Sequence, residues 1–232
     1  VPADLYEKVM IPRLRPDEER SDEILEAETA EEIQEYLMRY HYASIEHAVF
    51  ALLWETGMRL GAAHSLDVND IDLTNKRIEL VHRPDRGTML KNGGAGERPV
   101  AITADLADVL RDFIENTRKD TTDEYGREPL FSSSHGRMAK ASLRRTVYRT
   151  TAPCFRNEPC PGCTGGGDNK CPEAVSPHPI RRGSITHFLT EDIPTEIVGD
   201  RMNVSRDVLD KHYDRRSEEV KLEQRRGYLD NI

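Results

Sequence analysis

The sequence lacks any apolar run of about 18 residues and any segment patterned like a signal peptide. Because a transmembrane helix needs about 20 mostly apolar residues, we predict no membrane span and no partner in a membrane. No internal repeat is visible either. The 232 residues, of which 37% are hydrophobic and 32% charged, can bury one large core or two small ones. The composition is that of a soluble globular protein.

Lysine is scarce: the chain holds 8 Lys against 25 Arg, and its formal net charge is −9. An acidic, lysine-poor composition fits a cytoplasm rich in salt, where screening tolerates dense negative charge; an ordinary acidic protein is the alternative. The chain begins with Val1 rather than Met. We therefore expect a part of a longer cytoplasmic protein.

Acidic residues are missing from one window, between Glu128 and Glu158, although ten of them crowd the segment from Asp17 to Glu35. The acidic run is typical of a solvated linker or an outer helix face. The acid-free window carries a basic helix, "AKASLRRTVYRTTA", and these cations: Arg137, Lys140, Arg144, Arg145, Arg149 and Arg156. A basic stripe on an acidic molecule is typical of a local nucleic-acid interface, with a basic solvated helix as the alternative.

Cysteine occurs only in one short insertion, at about residues 153–173, with the spacing C-x5-C-x2-C-x7-C. The ligand candidates are Cys154, Cys160, Cys163 and Cys171. Four thiolates without a spare ligand suit a closed, structural zinc site, and the "CPGC" turn can bring two of them to one ion. An iron–sulfur centre is the main alternative. Disulfides are disfavoured without a secretory signal, and unligated thiols remain open.

The hydrophobic pattern predicts a mostly α-helical domain with a small antiparallel sheet, an α+β fold. Ser44 is a candidate N-cap of a helix that Gly57 ends, and Thr103 is a candidate N-cap of another. The remaining predicted elements are a helix over 29–41, strands at Arg77–His82 and Glu97–Ile102, and a further strand and turn between these two. Helices then dominate to the end of the chain.

Four motifs follow one another in an informative order. Arg59 stands in "ETGMRLGA", Lys91 in the Gly-rich stretch before "ERPVAI", His178 and Arg181 in "HPIR", and Tyr213 in "DKHYDRR". This order resembles the catalytic domain of the tyrosine recombinases, the phage-integrase family, in an archaeal-like form with a four-cysteine insertion. The resemblance covers roughly residues 25–225, and the Arg59 box followed by "LDVNDIDL" is its more specific part.

The resemblance implies a chemistry that the residue types support. Tyr213 would attack a DNA phosphodiester and form a 3′-phosphotyrosyl link, while Arg59 and Arg181 would bind the non-bridging oxygens. Lys91 would protonate the leaving 5′ oxygen, and His178 would act as acid or base. Neither a catalytic metal nor a nucleotide cofactor is required. DNA contacts are predicted for Arg137, Lys140, Arg144, Arg145, Arg149 and Arg182.

Two departures from the family pattern are visible. The family usually has a second His, or a Trp, about nine positions before the nucleophile, where Asp200, Asn203 or Val204 falls here. An acid usually follows the first Arg by three positions, where this chain has Ala62. Both departures are compatible with slow catalysis or a divergent branch.

The resemblance also implies a domain organisation and partners. Residues 1–24 would connect to a missing N-terminal DNA-binding domain, and residues 25–232 would form the catalytic domain. Duplex DNA and further copies of the chain, in a synaptic complex that is a tetramer in the family, would be the partners. Site-specific strand exchange is the leading function. The alternatives are supercoil relaxation as in type IB topoisomerases, and a DNA-binding relic or regulator without turnover.

Overall fold

The structure is a computed structural model that describes residues 23–160, 162–163, 171–212 and 216–229. The predicted connector, residues 1–24, lies almost wholly outside the described residues, and so does Tyr213. The elements of the described ranges are mostly helices, with two small antiparallel sheets. They are α1 (Ala27–Tyr40), α2 (Ile45–Thr56), α3 (Leu60–Ser65), β1 (Ile71–Asp72), β2 (Arg77–Leu80), β3 (Arg98–Ala101), α4 (Ala104–Asp112), β4 (Ser132–Ser133), β5 (Gly136–Arg137), α5 (Lys140–Thr151), α6 (Pro177–Thr190), α7 (Thr195–Met202), α8 (Arg206–His212) and α9 (Glu218–Leu229).

The predicted helix boundaries of the first half are confirmed. The Ser44 hydroxyl accepts a hydrogen bond from the His47 amide at 3.2 Å, which caps α2. Gly57 ends α2 with φ of 56°, a left-handed conformation that glycine adopts without steric penalty. The Thr103 hydroxyl caps α4 in the same way as Ser44, through the Leu106 amide at 3.2 Å.

The larger sheet has the order β1-β2-β3, and both pairs are antiparallel. Ile78 pairs with Val100 across β2 and β3, and both side chains are buried. The further strand predicted between β2 and β3 is wrong. That segment instead forms two short 3₁₀ turns, Pro84–Arg86 and Gly93–Gly96, and its glycines favour turns over a strand.

Helix α2 lies at the centre of the core, because nearly all of its side chains are buried and it contacts α1, α4, α5 and α6. Its contact with α6 is close. A Cβ at Gly183 would overlap the Leu25 carbonyl oxygen and lie 2.9 Å from the Trp54 ring. The Ser184 hydroxyl donates to the Trp54 carbonyl at 2.5 Å. The glycine thus allows α6 to approach α2, and α6 carries the predicted "HPIR" motif.

A second apolar cluster joins the later helices. Ile185 and Leu189 of α6 pack with Val198 and Met202 of α7 and with Leu209 of α8. This cluster fixes the end of α7 next to α6. Within the described ranges, no helix is both long and apolar enough to cross a membrane.

Arg137 belongs to a network of ion pairs inside the protein. Its guanidinium donates to Asp67 and, at 2.9 Å, to Asp123, and only 10% of its side chain is exposed. The same guanidinium also donates to the carbonyls of His64 and Leu66, at 2.9 and 3.1 Å. These bonds give Arg137 a structural role, since its donors are used within the fold, and the DNA contact predicted for it stays a prediction.

Replacing Arg137 by Ala should lower the free energy of unfolding by about 3–5 kcal/mol, because Asp67 and Asp123 would each lose a buried partner. Chemical denaturation measures this loss. Arg144→Ala removes an exposed arginine of α5 and is the matched control, for which we expect a change within about 0.5 kcal/mol. Equal stability of the two variants would contradict the structural role.

Candidate active site

A pocket of about 260 Å³ lies where the segments of three predicted motifs meet. Within the described part of the chain, five cationic residues line this pocket: Arg59, Lys91, Arg98, Lys140 and Arg181. None of the described residues that line it is acidic. Five like charges repel one another, and an anion bound among them relieves that repulsion. The pocket is therefore suited to a phosphate group.

Arg98 shows how strongly cations crowd this pocket. Burial, together with the charges of Arg181, Arg59 and Arg201, lowers the pKa of Arg98 to about 10. Its side chain donates to the carbonyls of Arg201 and Gly96, at 2.8 and 2.9 Å, so these bonds bring it no negative charge. Sequence reasoning missed Arg98. The available signal was the "ERPVAI" strand, because it follows the Lys91 turn directly and its first residues therefore lie beside that turn.

Arg181 is held rigidly in the wall of the pocket. It is only 2% exposed, and its guanidinium donates to the Gly57 carbonyl and, at 2.9 Å, to the Met202 carbonyl. Arg59 stands two residues after Gly57, in the extended position before α3. The hydrogen bond to Gly57 therefore ties the two arginines of the predicted clamp to one another.

Lys91 lies in the turn between β2 and β3. The preceding residue, Leu90, is buried, and its amide donates to Nδ1 of His82 at 3.0 Å. The Lys91 side chain itself is exposed and lines the pocket. Its anchored neighbour thus places an otherwise solvated lysine beside the two arginines.

His178 lies in the first turn of α6, one turn before Arg181. His178 remains exposed to solvent, but its partial desolvation lowers its pKa, and the nearby charges of Arg182, Arg181, Arg59 and Lys91 lower it further. His178 does not itself line the pocket, but three of these cations do. A histidine with a lowered pKa is neutral at pH 7 and can accept a proton.

The structure does not describe every predicted site residue. Tyr213 lies outside the described residues, and α8 ends one position before it. The position nine residues before Tyr213 holds Val204, which is buried at 8% exposure. Val204 packs among apolar side chains and offers no proton donor.

The predicted DNA contacts divide into groups by their surroundings. Lys140 begins α5 and lines the pocket, and Arg144 and Arg145 are exposed on the same helix. Arg149 pairs with Glu46 at 3.2 Å and lies over the Phe155 ring. Arg182 is buried, at 6% exposure. A DNA contact by any of these five residues stays a prediction.

The four cysteines come together in space. Cys160 Sγ lies 3.3 Å from Cys171 Sγ, and Cys163 Sγ lies 3.8 Å from Cys154 Sγ. The sulfurs of Cys154, Cys163 and Cys171 all lie within 4.8 Å of one another. Sulfurs at 2.3 Å from a tetrahedral metal are about 3.8 Å apart, so Cys154, Cys163 and Cys171 have roughly the spacing of metal ligands. These cysteines can hold a metal ion.

The structure resembles those of tyrosine recombinases: the crystal structure of XerA recombinase has 17% sequence identity and a TM-score of 0.63, covering 94% of this chain and 66% of that chain. The Tn1549 transposon integrase, solved in complex with a circular intermediate DNA, has 15% identity and a TM-score of 0.66, covering 94% and 68%. The fold is that of a tyrosine recombinase catalytic domain, mostly helical with small antiparallel sheets.

Sequence comparison assigns the family. The sequence model of the phage integrase family matches residues 23–219, and the chain belongs to this family. The probable integrase/recombinase protein MJ0367 of Methanocaldococcus jannaschii is 25% identical over 152 residues, which are 65% of this chain and 39% of that protein. Tyrosine recombinase XerC of Corynebacterium efficiens is 25% identical over 144 residues, 62% of this chain and 37% of that protein. The chain thus matches less than two fifths of the length of these curated relatives.

The His178 imidazole should titrate below 6.5, its ordinary value, because partial desolvation and the surrounding cations disfavour its charged form. NMR titration measures the midpoint, with His178→Gln to assign the signal. Arg59→Gln should raise the midpoint, since it removes one of those cations, whereas Lys119→Gln removes an exposed charge from outside this set and should leave the midpoint unchanged. A midpoint at or above 6.5 in the unsubstituted protein would contradict this environment.

Proposed function

We propose that this chain is the catalytic domain of a site-specific DNA recombinase that cuts and rejoins DNA through a 3′-phosphotyrosyl intermediate. The observation that supports it most is the pocket in which Arg59, Lys91 and Arg181 meet and whose described lining includes no acidic residue. Guanidinium groups match the geometry of phosphate oxygens and stay charged at any physiological pH. Membership of the phage integrase family supports the same chemistry.

In the proposed reaction, Arg59 and Arg181 bind the non-bridging oxygens of the scissile phosphate. Negative charge grows on these oxygens as Tyr213 attacks phosphorus, so the arginines stabilise the transition state more than the ground state. The neutral His178 accepts the phenolic proton, because a tyrosine with an ordinary pKa near 10 is a weak nucleophile without a base. The bond from phosphorus to the 5′ oxygen breaks, and Lys91 gives that oxygen its proton.

The product of this step is a covalent Tyr213–DNA 3′-phosphodiester and a 5′-hydroxyl end. The phosphodiester count is unchanged, so resealing needs no nucleotide cofactor. The cations of the pocket supply the electrostatic role that a metal has in other phosphoryl-transfer enzymes. Rejoining is the reverse step, with the 5′-hydroxyl of the same or another DNA strand as the nucleophile.

The proposed partners are duplex DNA and further copies of the chain in a synaptic complex, in the cytoplasm. Lys140, Arg144 and Arg145 lie on α5 and would extend the contact along the DNA backbone from the pocket. We further propose that an N-terminal DNA-binding domain precedes the catalytic domain, as the resemblance implies. The domain alone should then bind DNA weakly, since only one side of the duplex would be covered.

Two other functions would use the same pocket. A type IB topoisomerase would form the same adduct but relax supercoils without a defined site. A DNA-binding regulator would bind without cleaving, and Val204 and Ala62, in positions where the family usually has functional groups, favour this reading. The two are distinguished by the adduct and by its sequence preference.

Tyr213→Phe should abolish the covalent adduct and leave the affinity for DNA nearly unchanged, because only the nucleophilic hydroxyl is removed. Incubation with a pool of nicked genomic duplexes, denaturation in detergent and electrophoresis measure the adduct, and sequencing of the trapped DNA gives the site. Tyr228→Phe is the matched control and should retain the adduct. An adduct in Tyr213→Phe would move the nucleophile elsewhere, and no adduct in the unsubstituted protein would favour the regulator.

We also propose that the cysteine cluster binds one structural zinc ion. Four thiolates fill a tetrahedral shell, and in this geometry no position stays open for substrate. The insertion and the segment after it are tied to α5 and to α1. The Thr151 hydroxyl accepts from the Val175 amide at 3.1 Å, and Tyr36 donates to the Phe155 carbonyl at 3.0 Å. Zinc would therefore stabilise the approach of the chain to α6, which begins with Pro177 and carries His178.

Protein prepared without chelator should contain about one zinc per chain by elemental analysis. Cys163→Ser should lose this zinc and unfold at a lower temperature, since metal binding is coupled to folding of the loop that carries the ligands. Ser133→Ala, a substitution of similar size in the β4–β5 hairpin, should retain the metal. If the protein contains iron and acid-labile sulfide instead, the site is an iron–sulfur centre rather than a zinc site. Protein without any metal would contradict the proposal.

A further inference from the structure

The end of α7 contacts the segments that carry Arg59, Lys91 and Arg181. The Met202 carbonyl accepts from Arg181 at 2.9 Å, and the Met202 side chain packs on Gly57, where an added Cβ would lie 2.5 Å from its sulfur. The Arg201 carbonyl accepts from Arg98 of β3 at 2.8 Å. Two consecutive residues thus bind the segments of Arg181, Arg59 and the strand that follows the Lys91 turn.

Asn203 completes this set by binding the Lys91 turn itself. Its side-chain oxygen accepts a hydrogen bond from the Asn92 side chain at 3.1 Å, and its side-chain nitrogen donates to the Ala95 carbonyl at 3.2 Å. Asn92 follows Lys91 directly in the chain, and Asn203 lines the pocket together with Lys91. One amide therefore bridges the end of α7 and the turn.

The backbone conformation at position 203 also favours asparagine there. It ends α7 with φ of 51° and ψ of 65°, the left-handed conformation that glycine and asparagine tolerate best. Glycine would satisfy this backbone but would provide no amide for Asn92 and Ala95. The next residue, Val204, packs among apolar side chains. Asn203 is thus the polar side chain that this segment directs to the pocket.

Lys91 has an anchored residue on each side. Leu90 is buried and bound to His82, and Asn92 is bound to Asn203. A lysine side chain has four rotatable bonds and does not fix its own ammonium group. The position of the Lys91 backbone therefore decides which region the ammonium group can reach. Losing the second anchor would leave the Lys91 backbone held from one side only.

We propose that Asn203 is the positioning residue for Lys91: it holds the turn so that the ammonium group reaches the leaving 5′ oxygen. This inference rests on the proposed function, in which Lys91 is the proton donor. Asn203 does not touch the reacting atoms. A displacement of about 1 Å in a catalytic group can reduce a rate by about 100-fold, so the loss of this anchor should be measurable.

The test compares two nicked duplexes of the trapped sequence, one with the natural 5′ oxygen and one with sulfur in that bridging position. A thiolate leaves without a proton donor because its pKa is far lower than that of an alkoxide. The variants are Asn203→Gly, which keeps the backbone conformation, and Lys91→Ala as the reference. Asn157→Gly is the matched control, since Asn157 is an exposed asparagine with φ of 60° outside the pocket.

We expect Asn203→Gly to slow cleavage of the oxygen substrate by about 10- to 100-fold and to cleave the sulfur substrate within about threefold of the unsubstituted protein. Asn203→Asp keeps the acceptor for Asn92 but loses the donor to Ala95, and it should give an intermediate loss that sulfur also rescues. Asn157→Gly should match the unsubstituted protein on both substrates. Thermal unfolding identifies any variant that is merely unstable.

Equal slowing of both substrates by Asn203→Gly would show a general structural defect and overturn the inference, and so would an unchanged rate on the oxygen substrate. In both cases, sulfur rescue of Lys91→Ala would leave the proposed function intact. If sulfur does not rescue Lys91→Ala, the proton-donor role of Lys91 fails, and the inference fails with it. An unsubstituted protein that cleaves neither duplex would refute the proposed function itself.

Discussion

The hydrogen bonds of Arg181 to the carbonyls of Gly57 and Met202 are the constraint on which the candidate site depends. One carbonyl lies at the end of α2 and the other at the end of α7, so the guanidinium lies between two helix C-termini. The dipoles of both helices place partial negative charge there, which makes a buried cation tolerable. Carbonyls carry no net charge, so these two bonds position the guanidinium without themselves neutralising it.

The same residue type has two different uses in this chain, and the position of the carboxylates decides between them. Arg83 and Arg137 lie against Asp70, Asp67 and Asp123, and each of these pairs is largely buried. Arg59, Arg98 and Arg181 line a pocket to which no described acid contributes. An arginine with a carboxylate partner stabilises the fold, and one that lines this pocket adds positive charge that attracts an anion. The formal charge of −9 therefore does not describe the pocket.

The sequence predicts those features that depend on neighbours in the chain. The Ser44 cap, the Gly57 stop and the antiparallel strands after Arg77 and Glu97 are local patterns, and the structure confirms them. The role of Arg137 could not be predicted, because its partner Asp67 is 70 positions away, and charge density alone does not reveal a partner at that distance. The motif order predicts a meeting of Arg59, Lys91 and Arg181 through the family resemblance.

The sequence did not predict the roles of Arg98 and Asn203, for another reason. Asparagine is a residue type common in turns, and the hydrogen bonds of Asn203 to Asn92 and Ala95 span 111 and 108 positions of the sequence. Periodicity and caps report the element in which a residue lies, but they do not report which loop a helix end will meet. The contacts at the end of α7 arise only when the core formed by α6 and α7 has brought these distant segments together.

The close contact of Gly183 with Leu25 has a mechanical consequence. The Leu25 amide donates to the Pro179 carbonyl at 3.1 Å, and the Leu25 carbonyl lies against Gly183, so the peptide groups on either side of Leu25 are fastened to consecutive turns of α6. Arg181 lies between these two attachment points. A force or torque transmitted through the chain before Leu25 would therefore act directly on α6, the helix that carries Arg181.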